Sequence, residues 1–358
     1  MSDPTDELAG LWTWFAETQF PGYSPLYEQV ARSVAGDREI LGLVLEAPPA
    51  GHLPIALLAA VHYLLLDGLD HPLAAVYAGR SDADPVPLFG EICRDHPGEI
   101  LELLGRRRIQ TNECGRSAVI GPGLSWIGAR LEGPLALVDV GASAGLNLLC
   151  DRYRLDYGER GATGPADSPV RIDCEVRGGN PPLAERLPAL AGRVGIDRTP
   201  VDLADPGDAR WLLACVWPDT GRLDRTVAAI ALAREDLPEV IEGDALETLP
   251  GVLEGLPPGT PAVVLTSWAL AYLPVEERPR FVDVLEEAAG RRPLAWLSAE
   301  GAGTVEAFDG MPTASGPGED PPGDILGAVL WEGGTRREVL LGTVHPHGSW
   351  LDWQADPA

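Results

Sequence analysis

Leu135-Ala-Leu-Val-Asp-Val-Gly-Ala-Ser-Ala-Gly-Leu-Asn147 is the stretch on which the fold turns. Its apolar run ends at Val140 and predicts a buried strand. Gly141 and Gly145 follow at once, ahead of a sequence that predicts a helix. Small residues where a strand becomes a helix let the backbone approach a ligand closely. They also leave the first amides of the helix unpaired, which suits an anion or another polar group. Proteins that alternate strands and helices place their ligands at such turns.

Downstream, apolar runs with a small or polar residue at their carboxyl end predict strands at 192–197, 238–243, 261–267 and 293–299, after the first at 135–140. Strands alternating with helices predict a parallel sheet covered on both faces. The segments 325–331 and 336–344, on either side of Gly333-Gly334, predict a terminal antiparallel pair. The expected fold is α/β: a doubly wound, mostly parallel sheet of seven strands. Arg154-Leu-Asp-Tyr-Gly and Val170-Arg-Ile-Asp-Cys-Glu-Val predict the arms of a β-hairpin inserted at about 154–176. Residues 301–324, rich in Gly, Pro and acidic residues, predict a mobile surface loop.

Upstream, from Asp6 to about Leu131, the apolar spacing is helical throughout, as in Leu8, Leu11, Trp12 and Phe15. Further helices are expected over 37–46, 53–67, 71–79, 85–95, 97–108 and 111–131, the last with a possible break at Gly121-Pro122-Gly123. The chain therefore divides into a helical region, 1–131, that acts as a cap or lid, and an α/β core, 132–358.

Composition narrows the chemistry. The 358 residues carry a formal charge of −27, and all 27 basic residues are arginine. Without lysine there is no Schiff base and no P-loop amine. A polyanion is a poor partner for such a surface, so no nucleic-acid partner is expected. The one basic cluster, Arg106-Arg107-Arg108, reads more readily as a solvated helix end than as an anion site. Five cysteines show no CxxC spacing and no secretory segment is evident, which predicts reduced, buried thiols in a cytoplasmic protein. The most apolar stretch, Leu53 to Leu66, is too short to span a bilayer and predicts a buried helix, so no membrane partner is expected.

The residues at the strand ends come next. Asp139, Gly141, Ser143, Gly145 and Asn147 follow the first strand, and Asp197 ends the second. A carboxylate there suits ribose, because it accepts from two hydroxyls at once. If 170–176 is the second strand instead, Asp173 or Glu175 takes that place; a helix at 182–191 favours Asp197. Asp244 and Ala245 follow the third strand, Ser267 and Trp268 the fourth, and Glu300 the fifth.

With these residues in place, the chain resembles the class I S-adenosylmethionine-dependent methyltransferases over roughly 135–345. More narrowly, it looks like a bacterial family of uncharacterised proteins that put a helical region before such a core. Asp139-x-Gly141-x-x-x-Gly145 keeps the spacing of the methyltransferase glycine motif, with Ser143 where a central glycine is usual. The resemblance implies a Rossmann-type core and S-adenosylmethionine (SAM) as cofactor. It implies that Gly141 and Gly145 border the methionine and ribose parts, that Asp197 takes the ribose hydroxyls, and that Asp244 and Ala245 meet the adenine edge. Ser267 and Trp268 would lie beside the transferred methyl.

Methyl transfer needs collinear donor and acceptor, and a base only if the acceptor must lose a proton. Candidates are Glu113, Glu300 and Tyr272. Glu113 and Arg116 read either as a surface ion pair at a capped helix start or as a polar patch facing the cofactor. His62 reads as a core residue. His345 and His347 are expected on the face opposite the cofactor, with structural roles, and no metal is predicted. Trp12, Trp14, Trp211 and Trp217 read as core anchors. The expected function is a SAM-dependent methyltransferase acting on a small molecule or a protein. The alternatives are a SAM- or nucleotide-binding sensor or scaffold without turnover, and a SAM-using enzyme that does not transfer methyl.

Overall fold

A computed structural model describes residues 3–310, 323–332 and 335–356. The chain forms two compact units: Met1–Thr111 with Asp202–Val227, and Asn112–Val201 with Ala228–Ala358.

The first unit is helical: α1 (Pro4–Thr18), α2 (Pro25–Val34), α3 (Arg38–Leu45), α4 (Pro54–Leu66), α5 (Leu73–Tyr77), α6 (Pro85–Asp95) and α7 (Pro97–Arg106). Several starts repeat one device. Asp3, Ser24 and Asp84 each accept a hydrogen bond from a first-turn amide, and a proline follows each of them. A capped amide satisfies an orphan donor, and proline at the first position gives up an amide that had no partner to lose. Trp12, Phe20, Tyr27, Leu57 and Phe89 are fully buried in its core. Trp211 is buried as expected, whereas Trp14 is 49% exposed and serves no core. In the returning segment, the Trp217 ring meets Phe20 edge-on at 5.0 Å. Arg107 pairs with Asp208, and Arg106 with Glu102 one helical turn away, so two arginines of the basic run are engaged.

The second unit begins at α8 (Ser117–Gly128), a helix that continues through Pro122 without a break. After it come strands β1 (Leu135–Val140), β2 (Arg154–Asp156), β3 (Ala162–Thr163), β4 (Arg171–Asp173), β5 (Glu175–Gly178) and β6 (Leu190–Asp197). Helix α9 (Pro206–Ala214) belongs to the first unit, and α10 (Leu223–Ala233) carries the chain back. The rest is β7 (Val240–Glu242), α11 (Ala245–Gly255), β8 (Ala262–Ser267), α12 (Arg278–Ala289), β9 (Leu294–Glu300), β10 (Asp324–Glu332), β11 (Thr335–Val344) and β12 (Trp350–Trp353).

Among the described residues the main sheet has nine strands rather than seven, in the order β5-β12-β11-β10-β9-β8-β1-β6-β7. The five strands expected to be parallel are so, from β7 through β9. Beyond β9, β10 runs antiparallel to β9, β11 to β10 and β12 to β11, and the added edge strand β5 pairs in parallel with β12. Successive residues of a strand face opposite sides. Trp296 meets Phe281 of α12 at 5.5 Å, while Leu297 lies against Gly123 of α8.

The inserted segment is not a two-armed hairpin. β2 pairs in parallel with β4, and β3 is antiparallel to β2, giving a separate three-stranded sheet. No helix forms at 182–191: Pro181, Pro182 and Pro188 lack amide donors, and β6 begins at Leu190. Much of the loop expected at 301–324 lies outside the described residues, as does Gly333-Gly334. Among the described residues, no helix is long and apolar enough to cross a membrane. The five cysteines form no disulfides, and all but Cys215 are buried.

Candidate functional site

At the carboxyl end of β1 the chain reverses through Gly141, Ser143 and Gly145, with φ of 80°, 53° and 74°. The helix expected after the turn is a short 3-10 helix, Leu146–Arg152. Positive φ costs a serine about 1–3 kcal/mol, so the surroundings must hold it there. Asp197, at the end of β6, does this: its Oδ2 accepts from the Ser143 amide at 2.8 Å and its Oδ1 from the Thr199 amide at 2.9 Å. Asn112 Oδ1 accepts from the Leu146 amide at 2.8 Å. Asn147, also buried, has its Oδ1 3.4 Å from the Ser117 hydroxyl.

The two glycines face protein rather than open space. A Cβ on Gly141 would lie 2.6 Å from that of Ala269, and one on Gly145 would lie 2.8 Å from Pro238. Asp244 caps α11, accepting from the Leu246 amide, with Ala245 beginning the helix, and pairs with Arg198 at 2.6 Å. The Arg198 guanidinium holds its carboxyl below the usual carboxylate range.

The alternation of side chains puts Asp139 and Ser267 on one face of the sheet end and Ser298 and Glu300 on the other. Asp139 is 2% exposed and its Oδ2 has no hydrogen-bond partner. Burial pushes its pKa up to about 7, against the pull of the Arg116 guanidinium. Glu300 is buried alike. Its Oε1 accepts from the amides of Ala269 and Leu270, its Oε2 has no partner, and burial again pushes the pKa to about 7. The hydroxyls of Ser267 and Ser298 are also buried without partners.

Arg116 is the cation among these acids. Its Nη1 donates to the Ser267 carbonyl at 3.0 Å, its Nε to the Pro346 carbonyl at 3.1 Å, and its guanidinium lies 4.3 Å from the Trp268 ring. Trp268 has φ of 54° and donates from Nε1 to Asp324. Glu113 is 4% exposed and accepts from the Gly115 amide, capping the turn that carries Arg116. Of the two readings of Glu113 and Arg116, the surface ion pair is excluded, because both side chains are buried. Tyr272 is 81% exposed on the turn after β8.

One placement differs from expectation. β11 is antiparallel to β10, which is antiparallel to β9, so Val344 ends at the level of Glu300. His345, Pro346 and His347 therefore lie at the same end as the strand-end acids, not opposite, and Gly348 packs on the Gly115 carbonyl. Asp173 and Glu175 fall on β4 and β5, away from β1, whereas Asp197 ends the strand beside it.

Sequence reasoning missed Asp324, which accepts from the Trp268 indole. Asp324 begins an apolar run, and the start of an antiparallel strand lies at the same end as the finish of a parallel one. That polar residue before Ile325 was the available signal. Among the described residues, no three His, Cys, Asp or Glu side chains converge as a metal site.

These features define an α/β protein with a buried cluster of acids around one guanidinium at the carboxyl end of its sheet. The chain belongs to the family described as "Uncharacterized protein conserved in bacteria (DUF2332)", which it matches over residues 10–353. No curated protein matches it.

Proposed function

We propose that this protein binds S-adenosylmethionine at the carboxyl edge of β1, β6 and β7 and is a methyltransferase acting on a small molecule or a protein, with a doubly wound, Rossmann-type core. The observation that carries the reading is the unpartnered, buried Oδ2 of Asp139 beside the Gly141–Gly145 turn, with a further acid at the end of each of the next two strands in space. A buried acceptor without a donor is costly, so it suits a ligand that brings one. The α-ammonium group of a methionine moiety is such a donor. Asp197 spends one lone pair of each oxygen on a backbone amide and keeps another on each for ribose hydroxyls.

When bound, the cofactor supplies an electrophilic methyl on a sulfonium. The chain's own task is to orient and to exclude water. Arg116, held by two carbonyls, fixes Trp268 in its left-handed conformation at the end of β8. Glu300 Oε2 would accept a proton from an acceptor at neutral pH, a role supported by its burial and a pKa pushed up to about 7.

One observation favours a second reading, a binding protein without turnover. Asp197 and Asp244 already serve the chain's own amides and Arg198, which suits a rigid, preformed binding site that needs no catalytic rearrangement.

Calorimetry tests binding, with SAM and its demethylated product as ligands. Asp139→Asn keeps the shape and removes the acceptor charge, and is expected to weaken SAM at least tenfold. No binding to the wild type sinks the proposal. Incubation with labelled SAM and cell extract separates the two readings, since only an enzyme releases demethylated product.

A further inference from the structure

Glu300 and Ser298 share more than a strand. Both line a cavity of about 240 Å³ on the α12 side of the sheet, with Val305, Phe308, Asp309 and Ile325 among its walls. Both side chains are 1% exposed, and both Glu300 Oε2 and Ser298 Oγ lack a partner. Among the described residues, none that lines it is basic. The pocket thus offers one buried carboxylate oxygen, one buried hydroxyl and a second carboxylate on the exposed Asp309, against an aromatic and aliphatic wall.

We propose that this pocket binds a small organic ammonium ion, whose N–H groups meet Glu300 Oε2 and Ser298 Oγ while its apolar body lies against Phe308, Val305 and Ile325. An ammonium group brings only donors, and the two orphan atoms can both accept. Charge-assisted hydrogen bonds of this kind are about twice as strong as neutral ones. An anion would meet two carboxylates, and a purely apolar ligand would leave both polar atoms unpaired. The volume equals that of roughly eight waters, the size of a small amine rather than a folded partner. This deepens the transferase reading and rests on it only for the ligand's role as acceptor; the recognition itself stands on the cavity.

Binding is coupled to protonation. Glu300 faces the Arg116 guanidinium, Asp324 and the amides of Ala269 and Leu270, and burial raises its pKa to about 7. Among the described residues, Asp309 is the other titratable group on the pocket wall. A bound cation favours the ionised carboxyl, so protons are released on binding and affinity rises with pH through neutrality.

The test is calorimetry of the full chain with benzylammonium, which stays charged across the range used, and with benzyl alcohol as the neutral control. Saturable one-to-one binding of benzylammonium is expected, about tenfold tighter at pH 8 than at pH 6, with no binding of the alcohol. Glu300→Gln keeps an acceptor for the two amides and is expected to weaken benzylammonium at least tenfold and to abolish the pH dependence. Asp309→Asn, at an exposed position, and Ser298→Ala are expected to weaken it severalfold, and they carry the test if Glu300→Gln does not fold. No binding, equal binding of the alcohol, or affinity unmoved in these variants overturns the proposal. SAM is titrated in parallel without amine. If SAM binds and benzylammonium does not, the pocket proposal alone falls; in the converse case the transferase reading alone falls.

Discussion

Asp139 holds its proton to about pH 7 because burial outweighs the Arg116 guanidinium and Asp197 adds its own negative charge. An unfolded aspartate ionises near pH 4. Between those values the folded chain binds more protons than the unfolded one, so this residue's stabilising contribution is complete below about pH 4 and is lost as the pH rises through 7. Asp139→Asn cannot ionise. Its stability relative to the wild type is therefore expected to rise by about 3 kcal/mol between pH 4 and pH 8, measured by urea denaturation at both ends. A difference that does not change with pH would show that the carboxyl ionises normally. At this scale Asp139 and Glu300 were legible in the sequence, because each is an acid at the end of an apolar run. Arg116 was only half legible. Three residues from Glu113 it looked like a helix-surface partner, but those residues precede α8, and carbonyls distant in sequence, at Ser267 and Pro346, hold the guanidinium. No local pattern encodes such partners.

The turn after β1 is locked by elements on two sides. Gly145 sits at φ 74° with Pro238 and the β7 residue Val240 where a side chain would go, and a Cβ on Gly195 of β6 would lie 2.6 Å from that of Ala142. Gly145→Ala must accept a disfavoured conformation and an overlap together, each costing about 1–3 kcal/mol. Loss of about 2–4 kcal/mol in a denaturant melt is expected. Gly192→Ala in β6 meets nothing within 4 Å and has no positive φ, so it is expected to change stability by under about 0.5 kcal/mol. Equal costs at the two positions would mean that the turn is not clamped. The same contrast explains which elements could be read beforehand. β1, β8 and β9 are apolar runs bounded by polar residues, β6 ends in the short apolar stretch before Asp197, and the β10–β11 pair is adjacent in sequence. β5 and β12 are 4 residues each, pair in parallel, and have more than 170 residues between them, so neither period nor proximity announces them. β2 and β4 mimic a hairpin in sequence, yet β3 takes the antiparallel place beside β2.

At the scale of the chain, the two units carry buried titratable groups of opposite sign. In the first, His62 on α4 is 2% exposed, with Nδ1 3.1 Å from the Ala214 carbonyl and its ring 5.3 Å from that of Tyr77. Burial lowers its pKa to about 4, although the carbonyls of Ala214 and Val216 favour the charged form. An unfolded histidine protonates near pH 6.5. His62 therefore contributes stability that is complete above about pH 6.5 and lost as the pH falls towards 4. In the second unit Asp139 and Glu300 do the reverse, adding stability as the pH falls from 7. The remaining carboxylates, which dominate a formal charge of −27, act as a common background, so differences between variants isolate the buried groups. Hydrogen exchange resolved by segment reads each unit separately. Lowering the pH from 7 to 5, after correction for intrinsic exchange, is expected to lower protection in α4 and raise it in β1, β8 and β9. His62→Gln should flatten the first response and leave the second, while Asp139→Asn with Glu300→Gln should do the opposite. Protection that moves in one direction in both units, unaltered by these variants, would mean that burial does not set the protonation of these groups.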